Sequence, residues 1–380
     1  MDMSILIVDD NATNQLIIKT ILNKAGYKDL KVFSSAHGLY KFLDIHNAAA
    51  TEVNVDLILM DMMMPEIDGL EACKTILAVE RYKDIPIIFV TAVGDSSKMV
   101  EAMDAGASDY VMKPINKLEL LARIRSAQRL KREIDWHKER DQTIRFKLEL
   151  AKKVQRNVLS QPISDEHIDI SAIYQPSSEL AGDFYEWHQI DERRYGAILL
   201  DVMGHGIASS LVCMYISSLL RDAITRIVDP NQVMHELNRY MQHLYKPDEI
   251  LNYYFTAIYL VVDTEQKTIE YVNAGHPAGE ALIDGQIVPL DQGCCAIGLF
   301  NNIEISKGVL HYQDPVKIML YTDGLLEAMG DEQETKLNDV ISGWREDRFA
   351  CPKQALDHAI KEHVNGNQKD DICMVMIATK

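Results

Sequence analysis

Between Ile115 and Ser160 the chain contains neither glycine nor proline. A stretch this long with no helix breaker and crowded charges reads as one continuous helix, from Lys117 to Leu159. That helix divides the chain. The 380 residues exceed the roughly 250–300 that a single hydrophobic core organises, so a domain is expected on either side: residues 1–125, a helical linker 126–160, and residues 161–380. Within the linker Leu130, Ile134, Ile144, Leu148, Ala151 and Val158 recur at alternating spacings of four and three, a heptad seam interrupted by His137, Asp141 and Gln155. The seam predicts a homodimer formed through the linker helix, the alternative being a helix docked on its own domains. The same stretch, Ser126 to Ser160, holds ten Lys and Arg against five Asp and Glu.

That basic linker sits in an acidic chain, with 39 Lys and Arg, 57 Asp and Glu, and a formal charge of −18. Residues 161–380 alone hold 34 acidic against 16 basic side chains. Such a surface excludes nucleic acid and an anionic membrane as the main partner. Six cysteines include no Cys-x-x-Cys pair and read as buried thiols in a reducing cytoplasm. Met1-Asp2-Met3-Ser4 lacks a basic n-region, so no signal peptide is expected. The nearly apolar run Tyr253–Val262 is about half the ~20 residues of a membrane span. The expectation is a cytoplasmic, multidomain protein.

Residues 1–125 alternate β-rich runs (Ser4–Val8, Leu30–Phe33, Val55–Met60, Pro86–Val90, Asp109–Met112) with helical patterns. Five such strands read as a doubly wound parallel α/β sheet, a (βα)5 layout, with its ligands at the carboxyl ends of the strands. Asp9 and Asp10 follow the first strand, Asp61 the third, Thr91 the fourth and Lys113 the fifth. Three converging carboxylates repel one another unless a cation sits among them, and hard oxygen ligands suit Mg²⁺. A carboxylate beside that ion can accept a phosphoryl group as an acyl phosphate, with Lys113 pairing with the phosphoryl oxygens and Thr91 donating its hydroxyl.

The motifs Val8-Asp9-Asp10, Asp61-Met62-Met63-Met64-Pro65-Glu66-Ile67-Asp68-Gly69, Val90-Thr91-Ala92 and Lys113-Pro114 together resemble the response-regulator receiver domain. The resemblance implies Asp61 as phospho-acceptor and Mg²⁺ ligand, Asp10 as a direct ligand, Asp9 as an outer one, and the Met63 backbone carbonyl completing the set. It also implies Tyr110 as an aromatic switch, a cis Lys113–Pro114 bond, and a sensor histidine kinase as phosphodonor.

Beyond Gln161 the strands (Ile168–Tyr174, Phe184–Gln189, Tyr195–Val202, Tyr253–Val262, Thr268–Asn273, Gly279–Ile283, Val316–Tyr321, Ile372–Ala378) are mostly adjacent and suit antiparallel sheets. Helical patterns fill Ile207–Ile227, Pro230–Leu244 and Pro352–Val364. Two sheets with helices outside give an α/β sandwich. Four acidic clusters recur beside glycine or a strand end: Gly182-Asp183, Asp201-Val202-Met203-Gly204-His205-Gly206, Tyr321-Thr322-Asp323-Gly324 and Lys369-Asp370-Asp371-Ile372. One Asp-Gly pair is a turn; four at sheet edges converge on a site, their glycines read as admitting a metal or phosphate closely. Two divalent cations sharing a carboxylate and a water would neutralise it, and that water suits in-line attack on phosphorus.

With Asn273-Ala274-Gly275-His276-Pro277, these clusters resemble the PPM-type metal-dependent serine/threonine phosphatases over about Val154 to Ala378, and in particular the bacterial branch containing SpoIIE and RsbU. The resemblance implies two Mn²⁺ or Mg²⁺ ions. Asp201 would bridge them, with the Val202 carbonyl as a backbone ligand. Asp323 and Asp370 would hold the second metal and Asp183 the first, directly or through water, with Asp371 supporting them. Eukaryotic members carry a histidine, proposed as general acid, two residues after the bridging aspartate. Met203 stands there, so His205, His276 and water are all open as the acid. The implied substrate is a phosphorylated STAS-domain anti-sigma antagonist, whose dephosphorylation frees a stress sigma factor. The rival reading is an inactive phosphatase-fold adaptor that binds a sigma-factor regulator. Relatives that became adaptors lost metal-binding aspartates; Asp183, Asp201, Asp323 and Asp370 are all retained.

Overall fold

The structure, a computed structural model, describes residues 3–47, 53–92, 96–204, 206–244, 253–330, 333–346, 354 and 368–380. The chain divides into two units, Met1–Ile144 and Arg145–Lys380.

The first unit runs β1 (Ser4–Val8), α1 (Ala12–Lys24), β2 (Asp29–Phe33), α2 (Ala36–Leu43), β3 (Leu57–Asp61), α3 (Gly69–Leu77), β4 (Ile87–Thr91), α4 (Ser96–Asp104) and β5 (Asp109–Met112), followed by α5 (Lys117–Val158). The sheet is parallel throughout, in the order β2-β1-β3-β4-β5. Strands β1, β3 and β4 are buried at every position, as expected of apolar runs covered on both faces. Alternate side chains serve the two faces. Leu6, Val8, Ile58, Met60 and Phe89 pack with Leu39, Leu43, Cys73 and Ile76. Ile5, Ile7, Leu57, Leu59, Ile88 and Val90 pack with Ile18, Leu22, Leu120 and Ile124. The strand order reverses between β1 and β3, and because these neighbours are parallel Asp9, Asp10 and Asp61 lie at the same sheet end, at the switch point.

The Lys113–Pro114 bond is cis. Asn116 then opens α5, its side-chain oxygen accepting from the backbone N–H of Leu118 at 2.9 Å and of Glu119 at 3.3 Å, an N-cap. The helix is 42 residues long. Leu120, Ile124 and Ala127 are buried in the first unit. Along the seam Leu130, Ile144 and Val158 remain 49%, 44% and 40% exposed, while Ile134, Leu148 and Ala151 are half-buried. Gln155 differs from its reading as a polar interruption of a coil. It is buried and bonded to the second unit's own backbone.

The second unit comprises β6 (Ile163–Ser164), β7 (Ile168–Gln175), β8 (Asp183–Gln189), β9 (Arg194–Val202), α6 (Ile207–Asp222), α7 (Pro230–Leu244), β10 (Phe255–Asp263), β11 (Thr268–Ala274), β12 (Gly279–Ile283), β13 (Gln286–Leu290), β14 (Gly293–Cys294), β15 (Gly308–His311), β16 (Lys317–Tyr321), α8 (Asp323–Met329), α9 (Gln333–Arg345) and β17 (Ile372–Thr379). One sheet runs β14-β11-β10-β9-β8, with β15 also on β11; the other runs β13-β12-β16-β17-β7-β6. Alternation again sorts the side chains. Ile318, Leu320, Cys373, Val375 and Ile377 enter the core shared with Phe184, Leu199, Ile258 and α6. Met319, Tyr321, Met374 and Met376 face Leu325, Met329, Val340 and Trp344 of α8 and α9. The unit is an α/β sandwich.

The single helix read over Ile207–Ile227 is α6 continued by a π turn, Ala223–Ile227. By length and composition alone this span could cross a membrane, with a mean hydropathy of 1.4. Its Cys213, Ile216 and Leu220 are buried in the sandwich core. The reading of all cysteines as buried thiols needs correcting. Cys73, Cys213 and Cys373 are buried, but Cys294 is half-buried and Cys295 exposed, because Cys294 ends the sheet-edge strand β14 and Cys295 follows it. Cys351 and the predicted helix Pro352–Val364 lie outside the described residues.

Candidate functional sites

In the first unit, Asp9 and Asp61 are buried and Asp10 is exposed, and their carboxylate oxygens lie within 4.8 Å of one another. Lys113 reaches in from the end of β5, its Nζ 2.7 Å from Asp61 Oδ2 and 3.0 Å from Asp9 Oδ2. The backbone N–H groups of Asn11 and Met63 donate to Asp9 Oδ1 at 2.8 Å and Asp61 Oδ1 at 3.3 Å. Thr91 is buried at the end of β4. Tyr110 is half-buried, with the Arg123 guanidinium over its ring. Burial pushes the Asp61 carboxyl up, the bonds from Lys113 opposing it and Asp9 adding to it. Burial also works against the Lys113 ammonium, but the bonds to Asp61 and Asp9 outweigh it and its pKa rises. One ammonium against three carboxylates leaves the pocket negative. Its donors are hard oxygens, a set that fits Mg²⁺.

The second unit gathers its carboxylates from four segments. Asp183 opens β8 and stands directly across from Asp201 on β9. Asp323 begins α8, and Asp370 and Asp371 precede β17. Thr322 ties these segments together: its hydroxyl donates to Asp183 Oδ2 at 2.8 Å and accepts from the Cys373 N–H at 3.0 Å. Asp371 accepts from the Ser177 N–H and hydroxyl on one oxygen, at 2.7 and 2.9 Å, and from the Gly182 N–H on the other, at 2.8 Å.

The glycines have another use than the one read from the sequence. A Cβ on Gly324 would lie 2.0 Å from the Asp371 carbonyl oxygen, and one on Gly182 would lie 2.9 Å from that of Val202. These glycines admit neighbouring backbone, and so let the acidic segments close on one another.

Electrostatics shows the convergence. Burial, then Asp201, Asp371 and Asp370, push the Asp183 carboxyl well up. Burial, then Asp323 and Asp370, push Asp201 up to about 7. Burial and then Asp370 raise Asp323. Among the described residues no Lys or Arg forms an ion pair with any of these five aspartates. The cluster is wider than the first unit's: among the described residues, only Asp9, Asp10 and Asp61 bring three ligand atoms within 4.8 Å. Uncompensated carboxylates, Asp183 buried and Asp201 and Asp370 half-buried, with oxygen donors alone fit divalent cations.

His276 is buried, with Nδ1 2.9 Å from Thr256 Oγ1 and Nε2 making no hydrogen bond. Thr256 stands across from Asp201 on the neighbouring strand. Burial pushes the imidazole down to about 3, against a smaller upward pull from the Tyr321 backbone. Asn273 fixes the turn, accepting from the His276 N–H at 2.8 Å and donating to the carbonyls of His276 and Leu290. His205 lies outside the described residues. The sequence reading gave no role to Thr322, Ser177 or Thr256. Thr322, next to Asp323, was the one with a signal in the sequence; Ser177 and Thr256 lie away from the acidic clusters.

Residues 191–380 match the family model described as Stage II sporulation protein E (SpoIIE), and residues 5–125 match the response regulator receiver domain. The chain belongs to the SpoIIE family, with a receiver domain preceding its phosphatase-type output domain. It is 37% identical over 235 residues to the phosphoserine phosphatase RsbP of Bacillus subtilis, covering 61% of this chain and 58% of that relative. The chain thus spans less than two thirds of RsbP. It is also 37% identical over 112 residues to the chemotaxis protein CheY1 of Helicobacter pylori, covering 30% of this chain and 86% of CheY1. The solved SiaA-PP2C domain of Pseudomonas aeruginosa is similar in fold, with a TM-score of 0.53 at 22% identity, covering 62% of this chain and 97% of that one.

Proposed function

We propose that this chain is a two-component response regulator whose output is a metal-dependent phosphoprotein phosphatase acting on phosphoserine or phosphothreonine. The observation that carries the reading is the group of Asp183, Asp201, Asp323 and Asp370, graded from buried Asp183 through half-buried Asp201 and Asp370 to exposed Asp323, whose mutual repulsion no Lys or Arg among the described residues relieves.

Asp201, set between Asp183 and Asp323, would hold both ions with help from the Val202 carbonyl; Asp323 and Asp370 would complete one site and Asp183 the other. Bound there, Mn²⁺ or Mg²⁺ supplies Lewis-acid activation of water and of the phosphoryl oxygens. Asp371, engaged with Ser177 and Gly182, holds the loop that presents Asp370. His276 is neutral at ordinary pH, which favours water or His205 over it as proton donor. In the receiver, Asp61 would accept the phosphoryl group from a sensor histidine kinase, beside Mg²⁺ held by Asp10 and Asp61 and the Met63 carbonyl. Lys113 would pair with its oxygens, while Thr91 and Tyr110 carry the change outward.

The substrate is proposed to be a phosphorylated STAS-domain anti-sigma antagonist, by likeness to RsbP, with the dimer formed through the α5 seam and the receiver, linker and output spanning 1–125, 126–160 and 161–380. The test is Mn²⁺-dependent phosphate release from p-nitrophenyl phosphate. Wild type should turn over, and Asp201→Asn should lose at least about a hundredfold in kcat. Metal-independent or absent hydrolysis by wild type would favour the adaptor.

A further inference from the structure

Gln155 lies three residues before the end of α5, and its side chain leaves the helix to serve another segment. Its Nε2 donates to the Ala181 carbonyl at 2.8 Å, and its Oε1 accepts from the Ala181 N–H at 3.2 Å. The side chain is buried, so this paired amide satisfies both backbone polar groups of Ala181 where no water reaches them. Next along the chain, Gly182 donates its N–H to Asp371 Oδ2 at 2.8 Å and accepts from the Val202 N–H at 3.3 Å. Asp183 follows. Two consecutive residues are therefore tied to the linker helix, to the acidic loop before β17, and to the strand end that carries Asp201.

We propose that Gln155 is a positioning residue of the carboxylate site, an amide clamp on Ala181 that sets where Asp183 stands relative to Asp201 and Asp371. This rests on the metal-site reading above and extends it to a residue that touches no ligand. Only Gln has the length and the donor–acceptor pair to bond both sides of one peptide residue from this helical position. Met would fill the same volume and make neither bond; Glu would keep the acceptor and lose the donor. Loss of an outer partner of this kind costs roughly 10–100-fold in metal affinity or activity.

The test uses the full chain and the variants Gln155→Met and Lys152→Met. The second removes an exposed ion pair from the same helix to the same segment, Lys152 Nζ to Glu179 Oε2 at 3.2 Å, a kind of contact that adds little. Calorimetric Mn²⁺ titration should show affinity in the output site weakened about tenfold or more in Gln155→Met. In Lys152→Met the change should stay within about twofold. In metal-free protein, amide exchange at Ala181 should speed up about tenfold or more in Gln155→Met, while Val375 in the core exchanges as in wild type.

Wild-type Mn²⁺ affinity in Gln155→Met would overturn the proposal, as would an equal loss in Lys152→Met or faster exchange at Ala181 and Val375 alike. If wild type itself binds no Mn²⁺ in the output unit, the metal reading falls and this proposal with it. Binding by wild type with no effect of Gln155→Met removes this proposal alone.

Discussion

Asp371 accepts hydrogen bonds on both carboxylate oxygens, whereas Asp201 shares its surroundings with Asp183, Asp323 and Asp370. The difference separates a carboxylate that builds the loop from one left available to a cation. His276 belongs with the builders. In the unfolded chain an imidazole titrates near 6.5, but in the folded protein burial holds it neutral down to about 3. As pH falls from about 6.5 towards 3, the unfolded state binds a proton that the folded state refuses, so stability present above 6.5 is lost through that window. The slope owed to this one site approaches about 1.4 kcal/mol per pH unit. His276→Gln should flatten the wild-type slope between pH 6 and 4.5, read by urea unfolding. Identical slopes would mean that His276 takes up its proton while folded. The catalytic pH profile should show no limb from His276 near 6.5.

At the scale of elements, α5 carries the regulatory proposal. In the proposed dimer its exposed Leu130, Ile144 and Val158 would meet the same seam of a second copy, with His137 and Asp141 at the intervening positions. Replacing both with Leu should give a firmer dimer by sedimentation and activity that no longer requires phosphate. A firm dimer that still needs phospho-Asp61 would remove coil pairing as the switch. The same helix shows how far sequence carries. Its extent was legible because no residue in it breaks a helix; the paired hydrogen bonds between Gln155 and Ala181 were not, because seam spacing says nothing about a tertiary partner. Strand β13 escaped notice because Pro289 argues against a strand, yet it lies on a sheet edge where a missing N–H costs least. Helix α8 was hidden by Asp323-Gly324, which reads as a turn. In the structure Asp323 suits the first helical turn electrostatically, and Gly324 makes room for Asp371. The acidic clusters were legible from composition at strand ends; the hydroxyls that hold them, Thr322 and Ser177, come from segments far apart in sequence.

Over the whole molecule, the −18 formal charge bears on substrate choice. Residues 161–380 would repel an acidic phosphopeptide at long range, so recognition is expected to need the shape and local basic contacts of a folded partner. The specificity constant for a folded phosphorylated STAS-domain protein should exceed that for its isolated phosphopeptide by about tenfold or more, the gap changing with ionic strength. Equal values would place recognition in the phosphoserine alone. The central claim joins the two units: a phosphoryl group on Asp61 controls phosphate removal at the carboxylate site. The most direct measurement is phosphate release from that folded substrate at saturating Mn²⁺, with and without acetyl phosphate, for wild type and Asp61→Asn. The account predicts that acetyl phosphate raises the wild-type rate about tenfold or more and leaves Asp61→Asn at its basal rate. A wild-type rate indifferent to acetyl phosphate, or an equal response in Asp61→Asn, would contradict it.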